Sequence, residues 1–174
     1  MRTTLVAAAL LFAGAVHAQH HPYAGQHERE LKALSADEVK QYLSGAGMGY
    51  AKAAELNKFP GPMHALELAD QLKLSGEQRA ATQRLMDVHK TEASGLGTEL
   101  VAAERELDVL FRSGKVDEAV LARAVRTAAA LEGEYRLSHL ETHRRMRALL
   151  TDEQVKRYDE LRGYGSSKPG QHRH

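Results

Sequence analysis

The chain has 174 residues, with 24 basic and 23 acidic side chains, no cysteine and 43% hydrophobic residues. That length suits one domain with a modest core. The balanced charge argues against non-specific nucleic-acid binding, which needs a basic excess, and the lack of cysteine excludes disulfides, so packing or association must hold the fold.

Residues 1–18 read as an export signal: Arg2 supplies the positive start, residues 5–16 the apolar stretch, and Val16-His17-Ala18 a small-residue cleavage site. The stretch is too short to span a bilayer. Cleavage exports the mature chain, beginning near Gln19, with no later transmembrane segment; the alternative is a signal kept as an anchor. Residues 19–34, with His20, His21, Pro22 and His27, read as a flexible arm, residues 35–164 as a helical domain, and residues 165–174 as a disordered tail.

Within the domain, Ser35 caps a short helix running to about Leu43, and Gly45-Ala46-Gly47-Met48-Gly49 breaks it. A second short helical piece covers residues 50–57. Pro62 then opens a helix that runs to about Leu72, with Leu66, Ala69 and Leu72 on its buried side. From Ser75 to about Arg112 a long helix carries one apolar stripe through Leu85, His89, Ala93, Leu96, Leu100, Ala103, Leu107 and Leu110, with Gly95 and Gly97 as the expected place for a bend. Ser113-Gly114 closes it, and Asp117 starts a second long helix whose stripe is Leu121, Ala124, Ala128, Leu131, Tyr135, Thr142, Met146 and Leu149. A last short helix ends near Leu161.

No window alternates as a strand does, so the fold class is all-α: a long antiparallel helical hairpin with short flanking N- and C-terminal helices. One hairpin this poor in aromatics buries little apolar area, and a homodimer is the expected remedy.

Two capping boxes mark the chain: Leu74-Ser75-Gly76-Glu77-Gln78 and Leu150-Thr151-Asp152-Glu153-Gln154. In each, the hydroxyl accepts from a backbone N–H and the glutamine reaches back to the cap. With the export signal, the hairpin between the boxes and the terminal Tyr158-Asp159-Glu160-Leu161-Arg162-Gly163-Tyr164 segment, residues 35–164 resemble the periplasmic Spy/CpxP family, also called the LTxxQ family. The segment from Gly47 through Asn57 to Pro62 looks like that of a subgroup of heavy-metal sensors or refolding chaperones. The first box departs from the pattern, since Ser75 replaces threonine and Gly76 weakens the helix start. The resemblance implies a small helical periplasmic protein, usually dimeric. Some relatives bind non-native polypeptides without ATP. Others, including zinc-resistance-associated proteins and nickel/cobalt sensors, bind metal, and some modulate an envelope-stress sensor kinase.

Hairpin geometry makes a separate prediction. With about 1.5 Å rise per residue in each arm, residues equidistant from Gly114 lie side by side. His89 falls level with His139, Leu85 with His143, and a second turn near Leu74 brings His64 to the same end. His139 and His143 stand one helical turn apart, a spacing that lets two imidazoles share an ion. Together with Glu67, one turn after His64, these four histidines form a candidate site for zinc, nickel or cobalt, with Met63 and Met146 in the same register, whose thioethers would favour softer ions. The alternative is that they are polar residues of a helix seam bonded to Glu92, Glu141 or backbone, and no cofactor is required for the fold. The terminal histidines His20, His21, His27, His172 and His174 read as solvated tails able to collect ions weakly.

Arg123, Arg126, Arg136, Arg144 and Arg147, with Arg145, make the second long helix rich in arginine. Beside small apolar residues such a face can hold unfolded chains loosely, although a plain solvated face has the same composition. There is no His-Glu-x-x-His or Gly-x-Ser-x-Gly motif, and no enzyme is expected. The leading expectation is an ATP-independent chaperone or envelope-stress accessory binding non-native proteins; the alternative is a heavy-metal sensor or resistance protein.

Overall fold

A computed structural model describes residues 23–164. The export signal, the start of the arm and the tail from residue 165 lie outside these residues. Among the described residues there is no strand, and six α-helices follow one another: α1 Ala36–Leu43, α2 Lys52–Glu55, α3 Pro62–Glu67, α4 Gly76–Arg112, α5 Glu118–Leu149 and α6 Asp152–Arg162.

The fold is built on α4 and α5, packed against each other as the arms of a hairpin. Ser75 and Asp117 cap their N-termini by accepting from Gln78 N and Val120 N. Gly114 makes the turn between them at φ 68°, a left-handed conformation that costs glycine little. The stripes interlock over the lower two-thirds of the arms. Toward the tip the burial fades, and every residue from 111 to 120 is exposed. Only two helices meet there, so each apolar side chain has one neighbour to cover it.

The N-terminal segment lies across the hairpin, α1 on α4, α2 on α5 and α3 on both. Two cores result. The upper one joins Tyr42 to Ala93, Leu100, Val101, Ala128 and Tyr135, and it also takes Leu31 from the stretch read as a flexible arm, where an exposed ion pair links Glu30 to Arg105 of α4 (3.1 Å). The basal core joins Ala65, Ala69, Leu72 and Leu74 to Met146, Leu150, Val155 and Tyr158.

Two local expectations change. Helix α3 ends at Glu67, short of Leu72, because the chain must turn into α4; Lys73 takes φ 52° so that Leu72 and Leu74, either side of it, both reach the basal core. Helical structure within residues 50–57 is limited to Lys52–Glu55. Helix α4 runs unbroken through Gly95 and Gly97. Gly97 serves a crossing: a Cβ there would lie 2.0 Å from the carbonyl oxygen of Tyr42, whereas at Gly95 nothing lies within 4 Å.

Candidate functional site

Between the two cores the seam of the hairpin is polar. His89 of α4 and His139 of α5 are buried there, level with one another as the count from Gly114 requires, and His89 Nε2 and His139 Nδ1 share a hydrogen bond of 2.9 Å. Their outer nitrogens, His89 Nδ1 and His139 Nε2, are buried with no hydrogen-bond partner among the described residues. A buried polar atom without a partner costs about 1–3 kcal/mol, and in native proteins such atoms call for an explanation, often a water or an ion.

Beside this pair opens a cavity of about 610 Å³ whose walls include His64, His89, His139 and His143. All four histidines predicted to meet at one end of the hairpin therefore line one space. Helix α3 brings His64, while the Phe59 carbonyl holds His143 by accepting from its Nδ1 at 2.7 Å. Glu67 is exposed, does not line the cavity, and accepts from His64 Nδ1 at 2.8 Å. Both rings thus have Nδ1 fixed by an oxygen, which in the neutral tautomer leaves the lone pair on Nε2. The donors are not assembled in advance: among the described residues no three His, Asp or Glu groups are already arranged to hold a metal ion.

Other wall residues gave no signal in the sequence. Met48 and Met86 join Met63 around the cavity, although Met86, three residues before His89, shares its helix face. Glu55 is the hub of the floor. Its Oε1 accepts from the hydroxyls of Tyr158 (2.6 Å) and Tyr164 (3.2 Å), and its Oε2 from Gly61 N (3.1 Å) with His143 Nδ1 at 3.5 Å. The C-terminal helix is thereby tied to the loop that carries His143's partner. On the other side a tyrosine cluster closes the site: Tyr135 packs edge-on to His139, with ring centroids 4.8 Å apart, and its hydroxyl donates to Ala46 O at 2.6 Å. Burial, reinforced by Tyr42, pushes the Tyr135 hydroxyl up to about 12.

Burial also depresses the histidines. His139 falls to about 4, mostly by loss of water and further by His89 and His143, and His89 is lowered by burial and by His143. An unfolded chain takes up these protons near the ordinary value of about 6.5. Between that value and about 4 the unfolded state binds more protons than the native state, so stability is full above the ordinary range and is lost as pH falls through the window. Thermal unfolding of the metal-free protein is expected to shift down by several degrees from pH 7 to pH 5, and His139→Leu to flatten that slope. An unchanged slope in the variant contradicts the assignment.

At the base of the hairpin the two capping boxes meet. Gln78 and Gln154 exchange side-chain hydrogen bonds of 2.8 and 3.0 Å, while each Oε1 also accepts from its own cap N–H. The spare amide hydrogens cross over, Gln78 Nε2 donating to Leu149 O and Gln154 Nε2 to Leu72 O. Leu74 and Leu150, which precede the caps, are both buried in the basal core. Of the arginines read as client-binding, Arg144 is bound to Glu141, Arg147 to Asp152, and Arg136 lies over the Tyr50 ring; Arg145 also bonds Glu141. Arg123 and Arg126 are exposed near the tip.

A hairpin locked at its base by a reciprocal pair of leucine–hydroxyl–glutamine caps defines a class of small helical proteins. Residues 62–162 match the family described as LTXXQ motif family protein, and the chain belongs to that family, which is of Spy/CpxP type. Searches among curated proteins and among solved structures found no match.

Proposed function

We propose that this chain is a periplasmic metal-binding protein of the LTXXQ family, with its ion held between α4 and α5 in the histidine-lined cavity. The observation that carries this reading is the convergence of His64, His89, His139 and His143 from three helices on one space. Two nitrogens that bind one tetrahedral ion at about 2.0–2.1 Å stand about 3.3 Å apart. His89 Nε2 and His139 Nδ1 stand at 2.9 Å; for an ion to replace the proton they share, both rings must turn so that their lone pairs converge off the line between them, with the nitrogens parting by a few tenths of an ångström. His64 and His143 are oriented as metal-bound imidazoles usually are, with one ring nitrogen on a carboxylate or backbone carbonyl and the other spare. In this reading Glu67 orients His64.

The periplasmic assignment rests on the signal read in residues 1–18 and on the habit of the family; among the described residues no helix is long and apolar enough to cross a membrane. No catalytic role is assigned. Isothermal calorimetry with zinc, nickel and cobalt tests the proposal. One ion per chain is expected, with His89→Ala and His139→Ala each weakening binding by at least about 10-fold. Binding that neither variant alters overturns it.

A second reading, client binding, is favoured by the tip. Val109, Phe111, Val116, Val120 and Val125 are exposed there, and a shallow groove lined partly by Val109, Val120 and Arg123 runs between the arms. Apolar groups ringed by arginine suit weak, general capture of unfolded chains. Slower aggregation of an unfolded client at substoichiometric protein is the expected result, and no effect removes this reading.

A further inference from the structure

We infer that the cavity is built for a soft, monovalent ion, copper(I), in preference to zinc, nickel or cobalt. This rests on the metal reading above and names the class of ion.

The donor chemistry is the reason. The chain has five methionines. Met1 lies outside the described residues and Met146 is sealed in the basal core, but Met48, Met63 and Met86 all line the histidine cavity. With no cysteine in the chain, sulfur can come only from methionine, and three of the four described methionines are gathered at one place. Carboxylate is scarce there. Glu55 is the one carboxylate on the cavity wall, and it is already engaged by Tyr158, Tyr164 and Gly61. Zinc, nickel and cobalt sites draw on imidazole with carboxylate or water, whereas thioether selects copper(I). Copper(I) is also content with few ligands. That suits a site where the buried His89–His139 pair stands beside thioethers on the cavity wall.

Met48 belongs both to the cavity wall and to the edge of the upper core. Its backbone stands at φ 45°, in the left-handed region that favours glycine. Its neighbours on both sides are glycines, so the turn itself is easily served without a side chain. Its side chain packs against the upper core and also lines the cavity, so the left-handed turn sets a thioether in the wall between the two. Met63 is 48% exposed and stands at the mouth, where it can meet an arriving ion before His64.

The test is anaerobic competition of the full-length mature protein for copper(I) against a chromophoric chelator, beside calorimetry with zinc. Copper(I) is expected to bind more tightly than zinc. Met63→Leu and Met86→Leu are expected to lower copper(I) affinity by roughly 10–100-fold, the range typical for loss of a group supporting a metal, and to leave zinc binding unchanged. X-ray absorption of the copper(I)-loaded wild type is expected to show sulfur beside nitrogen in the first coordination sphere, which keeps the inference testable without a variant. Zinc binding as tight as copper(I), or a sphere of nitrogen and oxygen alone, overturns the inference and leaves the metal reading standing. Failure of both ions to bind removes both.

Discussion

Gly97→Ala is expected to destabilise the protein by about 2 kcal/mol or more, although the same change two residues earlier, Gly95→Ala, is expected to stabilise it by up to about 1 kcal/mol. Both glycines lie inside α4, where alanine is the better helix former. They differ in what passes overhead. The carbonyl of Tyr42, at the end of α1, crosses so close to Gly97 that an added Cβ would meet the oxygen at 2.0 Å and its carbon at 2.6 Å. Backbone cannot swing aside as the end of a flexible side chain can. α1 must lift, and with it Tyr42, which packs on Tyr135 in the upper core. Gly45 repeats the constraint from the other side: it stands at φ 67°, and a Cβ there would lie 3.0 Å from Ser94 N. Urea unfolding measures the difference directly, as opposite shifts in midpoint at constant slope. Shifts of equal size and sign contradict the crossing.

Gln154→Ala is expected to cost about 2–3 kcal/mol, well above the usual value of about 1 kcal/mol for one hydrogen bond. The glutamine amide serves four partners at once: the cap N–H of Thr151, both ends of the Gln78 amide, and Leu72 O. Truncation strands these in a half-buried place, and a stranded group loses its full solvation without return. Gln78→Ala is expected to cost nearly as much alone. The double variant is expected to cost less than the two singles together, by about 1 kcal/mol, since each change already breaks the shared pair. Additive losses contradict the pairing of the boxes. Loosening α6 also frees Tyr158 from Glu55, so the Gln154 variant is expected to weaken metal binding at a distance.

What the residues revealed follows from where regular structure prevails. The boxes, the two long stripes and the register of His89 against His139 were legible because an α-helix advances by a fixed rise, so counting from Gly114 places each level. The join of Gln78 to Gln154 was not, since each box reads as a local cap and nothing in its spacing says that the other lies beside it. The N-terminal wrap was the least legible part. Met48, Lys58 and Lys73 take left-handed turns, and once such a chain leaves periodic structure, spacing no longer predicts its path. That is why Glu55 and Met48 went unassigned, and why the crossing at Gly97 was not foreseen. His143 shows the boundary within one residue. Its level was predictable, but its tie to Phe59 O depends on how the loop before α3 lies across α5.

The most direct test of the central claim is a long-range nitrogen–proton NMR spectrum of the imidazoles with one equivalent of zinc. The account predicts that His89 Nε2 and His139 Nδ1 move together to the shift of metal-bound nitrogen, while His27 and the terminal histidines stay where they were. Metal shifts confined to His20, His21, His27, His172 or His174, with the His89–His139 pair unmoved, would contradict it.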